Sequence, residues 1–358
     1  MSSYGDNTAQ LCERVQAAYR ENTPLFITGA GSKRDVLGRN CNATPLEIGA
    51  HCGIVDYEPG ELVMTARAGT PLAEIMDALQ AEGQELAFEP PLCGGAATLG
   101  GTLAANLSGP GRPWRGSARD VVLGIQLISG TGELLNFGGR VMKNVAGYDL
   151  GRLQAGALGT LGVISTASLK VLPRAESTVT LRQELPADEA LDIMQQRAAT
   201  PRPLTGACWT AGALYLRLAG AASAVSHTAT LWGGEQLAPQ DADTFWRDLG
   251  ELQLPALSTD KPLWRLSIKP SAPLTFKNTE QVIDWCGAQR WIATDVSADE
   301  LYRYAAQAGG HAQLFRGGDR NAEVRSPLTP VQQRVQQSLK TKFDPGNILN
   351  PGRLYTWL

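Results

Sequence analysis

Short apolar runs alternate along this chain with amphipathic stretches. Leu72, Ile75, Met76 and Leu79 fall at i, i+3, i+4 and i+7, one face of a helix predicted over 71–82. Thr70 suits its N-cap, Pro71 its first position and Gly83 its end. A shorter helix is predicted at 12–20, and the small-residue run Thr98–Asn106 also fits a helix. Strands are predicted at Leu25–Thr28, Leu46–Ile48, Leu62–Ala68, Val121–Ser129, Glu133–Phe137 and 163–171. Gly130-Thr131-Gly132 joins the fourth and fifth of these as a hairpin.

A second pattern begins after Pro173. Thr178–Glu184, Ala207–Thr210, Leu214–Leu218, Leu263–Ile268 and Trp291–Asp295 read as strands. Helices are predicted at Ala187–Ala199, 221–231, around 279–286 and at 298–308. This succession fits an antiparallel sheet with helices on one face. The ending FDPGNILNPGRLY is too rich in turn residues for a helix and reads as a docked tail.

Composition supports the division. Of 39 glycines, 26 lie in residues 1–176, whereas seven of the eight tryptophans lie beyond. The 358 residues suit two domains, and a net charge of −3 argues against a nucleic-acid binder. There is no apolar run of about 20 residues and no secretory leader, so a soluble, cytoplasmic protein is expected. None of the six cysteines forms a C-x-x-C pair, which argues against iron–sulfur or structural zinc ligation. No metal site is expected.

The candidate chemistry lies in the glycine-rich segments. Phe26–Lys33 is a strand running into Gly29-Ala30-Gly31-Ser32, where bare backbone N–H groups can approach a phosphate. Arg34 stands where a dinucleotide fingerprint needs its third glycine, and no Gly-Lys pair forms a Walker A loop. A Rossmann enzyme and a P-loop NTPase are therefore excluded as first readings. Glu89-Pro90-Pro91 followed by Thr98–Asn106 offers a surface on which a flat ring can lie. Gly156–Ile164 presents backbone groups before a strand, and Lys143–Leu150 lies between these segments.

The order of these segments resembles the FAD-binding domain of the vanillyl-alcohol oxidase/PCMH flavoprotein superfamily. The stretch from Lys143 to Ile164, KNVAGYDLGRLQAGALGTLGVI, and the ending from Phe343 to Arg353 are similar to the flavin subunits of glycolate oxidase complexes. The segments EPP, GPGRPWRGSARD and FGGRVMKNVAGYDL bring the smaller of those subunits nearest. The resemblance implies an α+β fold: a PCMH-type FAD-binding domain of two α/β subdomains over 1–175, then a smaller α+β cap domain with an antiparallel sheet over 176–340. Residues 341–358 would dock back on the FAD domain.

Position by position, the resemblance implies that Thr28, Gly29, Ala30, Gly31, Ser32 and Lys33 form the first pyrophosphate loop. Pro90, Pro91, Thr98, Gly100, Gly101, Ala104 and Asn106 would run along the flavin and its diphosphate. Ser117 would lie near the isoalloxazine ring, and Gly159, Gly162, Val163 and Ile164 would frame the adenosine half. Some relatives bond FAD covalently through a histidine in the first loop; Gly29–Leu37 has none, so noncovalent FAD is expected.

The rest of the chain lacks the histidine-rich cluster that catalytic relatives use; its histidines are His51, His227 and His311. Arg265, Lys269, Arg290 and Arg316 are candidate carboxylate binders whose convergence the sequence does not establish. The resemblance thus implies an FAD-binding subunit of a complex that oxidises glycolate to glyoxylate. Its partners would be a second FAD-containing subunit and an iron–sulfur subunit. It would sit in the cytoplasm, with membrane association through the complex. The alternatives are an independent flavin-dependent 2-hydroxy-acid dehydrogenase and a non-catalytic, FAD-containing assembly subunit. No acid or base is assigned.

Overall fold

The computed structural model describes residues 5–139, 149–276 and 280–358. Lys143 to Tyr148 of the fourth glycine-bearing segment lie outside the described residues. The chain divides into two compact units, each α+β. The first takes the chain through Leu107, then Ser117–Pro173 and Arg320–Leu358; the second takes Ser108–Gly116 and Arg174–Asp319.

These bounds differ from the continuous ranges read from sequence, for two reasons. Trp285 Nε1 donates to the Gly109 carbonyl at 3.1 Å and Trp114 packs on the core of the second unit, so Ser108–Gly116 belongs there. The return begins at Arg320 rather than at 341, because Arg320 Nε and Nη2 donate to the Gly38 carbonyl at 2.9 and 2.6 Å.

In the first unit, Leu25–Thr28 pairs in parallel with Thr44–Glu47. An antiparallel five-stranded sheet runs in the order Ile54–Glu58, Val63–Arg67, Val163–Lys170, Val122–Ile128, Leu134–Gly138. Edge strand Leu134–Gly138 alternates exposed and half-buried positions, whereas Val63–Arg67 and Val163–Lys170 are buried along most of their length, and helix Leu72–Ala81 buries Leu72, Ile75 and Leu79 in the same core. Leu11, Val15 and Ala18 do the same from helix Thr8–Glu21.

Thr70 does not cap the Leu72–Ala81 helix. Pro71 occupies the N-cap, and Thr70 Oγ1 instead accepts from Gly53 N at 2.8 Å and donates to the Arg67 carbonyl at 2.7 Å. Gly83 ends that helix with φ +64.

The second unit carries an antiparallel eight-stranded sheet among the described residues, built on strands such as Ser177–Glu184, Ala213–Gly220, Leu204–Thr210 and Leu263–Ser267. The helix expected around 279–286 is absent over its described part. Gln281–Asp284 is a fully buried strand pairing with Gln289–Ala293, and a turn at Trp285–Gly287 joins them. Its run Val282-Ile283-Asp284-Trp285 is buried throughout and carries the single polar residue Asp284, so its period does not separate helix from strand. Strand His311–Arg316 and helices Pro239–Gly250 and Pro330–Phe343 are further elements that the pattern did not reveal.

Candidate functional site

The first unit holds an open cleft of about 800 Å³, assembled from segments far apart in sequence. Thr28, Gly29, Ala30, Gly31, Ser32 and Lys33 line one side. Thr98, Gly100, Gly101 and Ala104 line another, and Gly159, Gly162 and Ile164 a third.

Backbone bonds fix these walls. Thr28 continues the parallel pair, its carbonyl accepting Ile48 N at 2.9 Å. Thr98 caps helix Leu99–Ala105, its Oγ1 accepting Gly101 N at 3.4 Å. That helix is tied on one flank by Gly100 N to the Ala68 carbonyl at 2.8 Å. On its other flank, Gly156 N and Leu158 N donate to the Leu103 and Ala104 carbonyls at 3.1 and 3.0 Å. Gly29 passes so close to the cap that a Cβ there would stand 2.5 Å from Thr98 Oγ1.

The remaining sequence-derived candidates do not line the cleft. Val163 is wholly buried in the sheet core. Asn106 ends the Leu99–Ala105 helix in a left-handed conformation, its Oδ1 accepting Arg119 N at 3.1 Å. Ser117 begins the short helix Ala118–Val121, and its N–H and Oγ each donate to Asp120 Oδ2 at 2.8 Å. Pro90 and Pro91 sit in the irregular stretch before Thr98, Pro90 buried and Pro91 half-buried. These five shape the unit around the cleft.

The structure adds residues that no local motif announced. Asn350 and Arg353 come from the returning tail and line the cleft. Asn350 Oδ1 accepts Ile27 N at 2.7 Å, and its Nδ2 donates to the Leu158 carbonyl, so one carboxamide joins the first and third walls. Gly159, at φ +73, makes room: a Cβ there would stand 2.7 Å from Asn350 Nδ2. Arg353 Nη2 donates to the carbonyls of Lys33, Arg34 and Val36 at 3.1, 2.7 and 3.3 Å, and its Nη1 to that of Arg39.

Arg353 and Arg34 also lie over the Phe26 ring, 5.6 and 5.3 Å from its centroid. Burial, aided by the nearby Arg320 charge, lowers the Arg353 guanidinium to about 10, so it remains cationic at neutral pH. Lys33, Arg34 and Arg353 thus give the loop end of the cleft a positive character suited to a diphosphate. The proline- and asparagine-rich ending carried a turn signal, but the partners of Asn350 lie 192 and 323 residues away.

The tail is anchored by a buried ion pair on helix Pro330–Phe343 and its C-cap. Lys340 Nζ donates to Asp344 Oδ2 at 2.7 Å, to the Thr160 carbonyl at 2.9 Å and to the Leu349 carbonyl at 2.8 Å, using all three of its protons. Asp344 accepts Ile348 N at 3.1 Å and Leu349 N at 2.8 Å.

In the second unit the candidate cations diverge. Arg265 Nη2 donates to Gln313 Oε1 at 2.7 Å, Arg316 Nη2 to the Leu257 carbonyl, and buried Arg290 to the Ala272 and Pro273 carbonyls. Residues 265 and 290 occupy different registers, facing Trp291 and Leu266 across their strand pair.

Comparison with known proteins fits this geometry. An FAD binding domain family matches residues 4–138. Glycolate oxidase subunit GlcE of Escherichia coli (strain K12) is 45% identical over 353 residues, covering 99% of each chain. The chain belongs to the GlcE family of glycolate oxidase subunits. It is also 24% identical to a D-lactate dehydrogenase of Archaeoglobus fulgidus, over 97% of this chain and 89% of that one. Glycolate oxidase subunit GlcD of Bacillus subtilis (strain 168) is 29% identical over 49% of this chain and 37% of its own length. A solved alkyldihydroxyacetonephosphate synthase shares the fold, with a TM-score of 0.66 at 16% identity over 97% of this chain and 75% of that chain.

FAD is thus the cofactor of this family member, and the chain is an oxidoreductase subunit. The cleft fits FAD on its own terms. It offers cations at one end, small residues along its length, and a buried Gln154 Nε2 that no atom of the described residues satisfies. Among the described residues, no group of three or more His, Cys, Asp or Glu side chains is placed to hold a metal ion, and no helix is long and apolar enough to cross a membrane.

Proposed function

We propose that this chain is an FAD-carrying subunit of a glycolate-oxidising complex. Its flavin would serve the conversion of glycolate to glyoxylate beside a second flavin subunit, with an iron–sulfur subunit as the next electron carrier. The observation that carries this reading is the three-walled cleft with its Lys33–Arg34–Arg353 end, in a chain alike from end to end to a glycolate oxidase subunit.

FAD, when bound, supplies the two-electron chemistry. The protein residues place it. The Gly29–Lys33 loop and the Thr98 cap receive the diphosphate, and Arg353 holds that loop in shape through its carbonyls. Pro90, Pro91, Asn106, Ser117 and Val163 support the cleft from outside it. The loop Gly29–Leu37 holds no histidine, so attachment is noncovalent. Acid precipitation releases all flavin to the supernatant on this reading; flavin retained on the pellet overturns it.

The deciding experiment is an anaerobic absorbance titration with glycolate, first on the isolated chain and then on the chain co-expressed with its partner subunits. Bleaching only in the assembly supports a subunit that depends on partners. Bleaching of the isolated chain at the rate of the complex makes it an independent dehydrogenase. Flavin that never bleaches leaves an assembly role.

A further inference from the structure

Gln154 is 2% exposed and lines the cleft, yet its Nε2 has no hydrogen-bond partner among the described residues. An unmet buried amide donor loses its hydration without recompense, so a fold that keeps one has a partner in view. The residue sits in the turn after helix Leu150–Leu153, where its backbone N–H donates to the Gly151 carbonyl at 3.2 Å. The next turn, Gly156 and Leu158, is bonded to Leu103 and Ala104. That places Gln154 beside the C-terminal turn of helix Leu99–Ala105, away from its Thr98 cap and the cationic loop. The walls at this end are apolar: Ala104, Ala105, Leu158 and Ile164.

We propose that Gln154 reads the adenine base of bound FAD, its Nε2 donating to a ring nitrogen. This rests on the reading that the cleft takes FAD, and goes beyond it by assigning the side chain that recognises the base. An apolar slot with one directed polar group suits a flat heteroaromatic base, and a carboxamide matches the acceptor and donor on an adenine edge. Of the two ring systems in FAD, the flavin must stay within reach of a substrate or redox partner. The adenine takes no part in the chemistry and can occupy the deeply buried end. The diphosphate then lies between them at the Lys33, Arg34 and Arg353 end of the cleft.

The test is calorimetric titration of the flavin-stripped full chain with FAD, ADP and FMN, for the wild type, Gln154→Leu and Gln154→Met. The expected result is about tenfold weaker binding of both FAD and ADP by the two variants, with FMN unchanged. Weakened FMN with unchanged ADP places the amide at the flavin ring and overturns the assignment. Three unchanged ligands mean that water satisfies the amide, which overturns it as well. The thermal transition of each apoprotein separates lost binding from lost folding, and the Met variant keeps the side-chain length if Leu packs poorly. A wild-type chain that binds none of the three ligands refutes the cofactor reading itself, a different failure from any of these.

Discussion

At Gly29 the first loop and the helix cap come within one methyl group of each other. A Cβ at 2.5 Å from Thr98 Oγ1 forces either the loop or the cap aside. Gly29→Val is therefore expected to purify folded but with FAD affinity reduced at least about tenfold, as read by flavin absorbance per chain. Arg353→Lys tests the other support of the same loop. A lysine carries the charge but not the planar fork that meets four carbonyls. The expected outcome is FAD binding about tenfold weaker, measured by quenching of flavin fluorescence, with secondary structure unchanged by circular dichroism. Gly29 was legible in the sequence because a glycine cluster after a strand is a local signal. Gln154, Asn350 and Arg353 were not, because a lone amide or guanidinium acquires meaning only from the distant segments it meets.

Elements show the same divide between local and distant causes. Helix Leu72–Ala81 was legible because its apolar positions repeat every three to four residues and a glycine closes it. Helix Pro330–Phe343 was not. It leaves Val331 and Val335 exposed and buries the charged Lys340, which breaks the usual amphipathic pattern. Lys340→Met removes one partner of the buried pair and strands Asp344, with an expected loss of about 3–5 kcal/mol read as a lower denaturation midpoint. The N-terminal segment depends on another buried group. His51 is almost wholly buried, its Nδ1 accepts Asn7 N at 3.1 Å, and its Nε2 meets the Ser165 carbonyl and hydroxyl. Burial pushes the His51 imidazole below its ordinary value, outweighing the opposing pull of Asp6, so the fold holds it neutral. The unfolded chain then takes up a proton more readily than the folded one. Stability from this group is complete above about pH 6.5 and is lost as the pH falls through the lower folded value. Thermal melts from pH 7.5 to 5 are expected to fall in the wild type and to fall less in His51→Gln.

At the scale of the molecule, the two-part architecture was legible because glycine and tryptophan segregate along the chain. Its interleaving was not. Ser108–Gly116 looks like a loop in sequence and joins the second unit through Trp114 and the Gly109–Trp285 bond, both long-range. Deleting 341–358 removes Asp344, Asn350 and Arg353 together, three supports of the cleft. The truncated chain is expected to carry no flavin and to lose the cooperative transition of its first unit, measured by calorimetry beside the intact protein.

The carboxamide of Asn350 bonds to Ile27 across 323 residues of chain. During synthesis the glycine loop emerges early and waits, its walls unjoined, while nearly everything else is made. Closing so large a loop is slow in comparison with local folding. A fragment that stops short of Asn350 and Arg353 is expected to lose its hold on the cofactor, so yellow colour in a preparation would report chains whose tail has reached the loop.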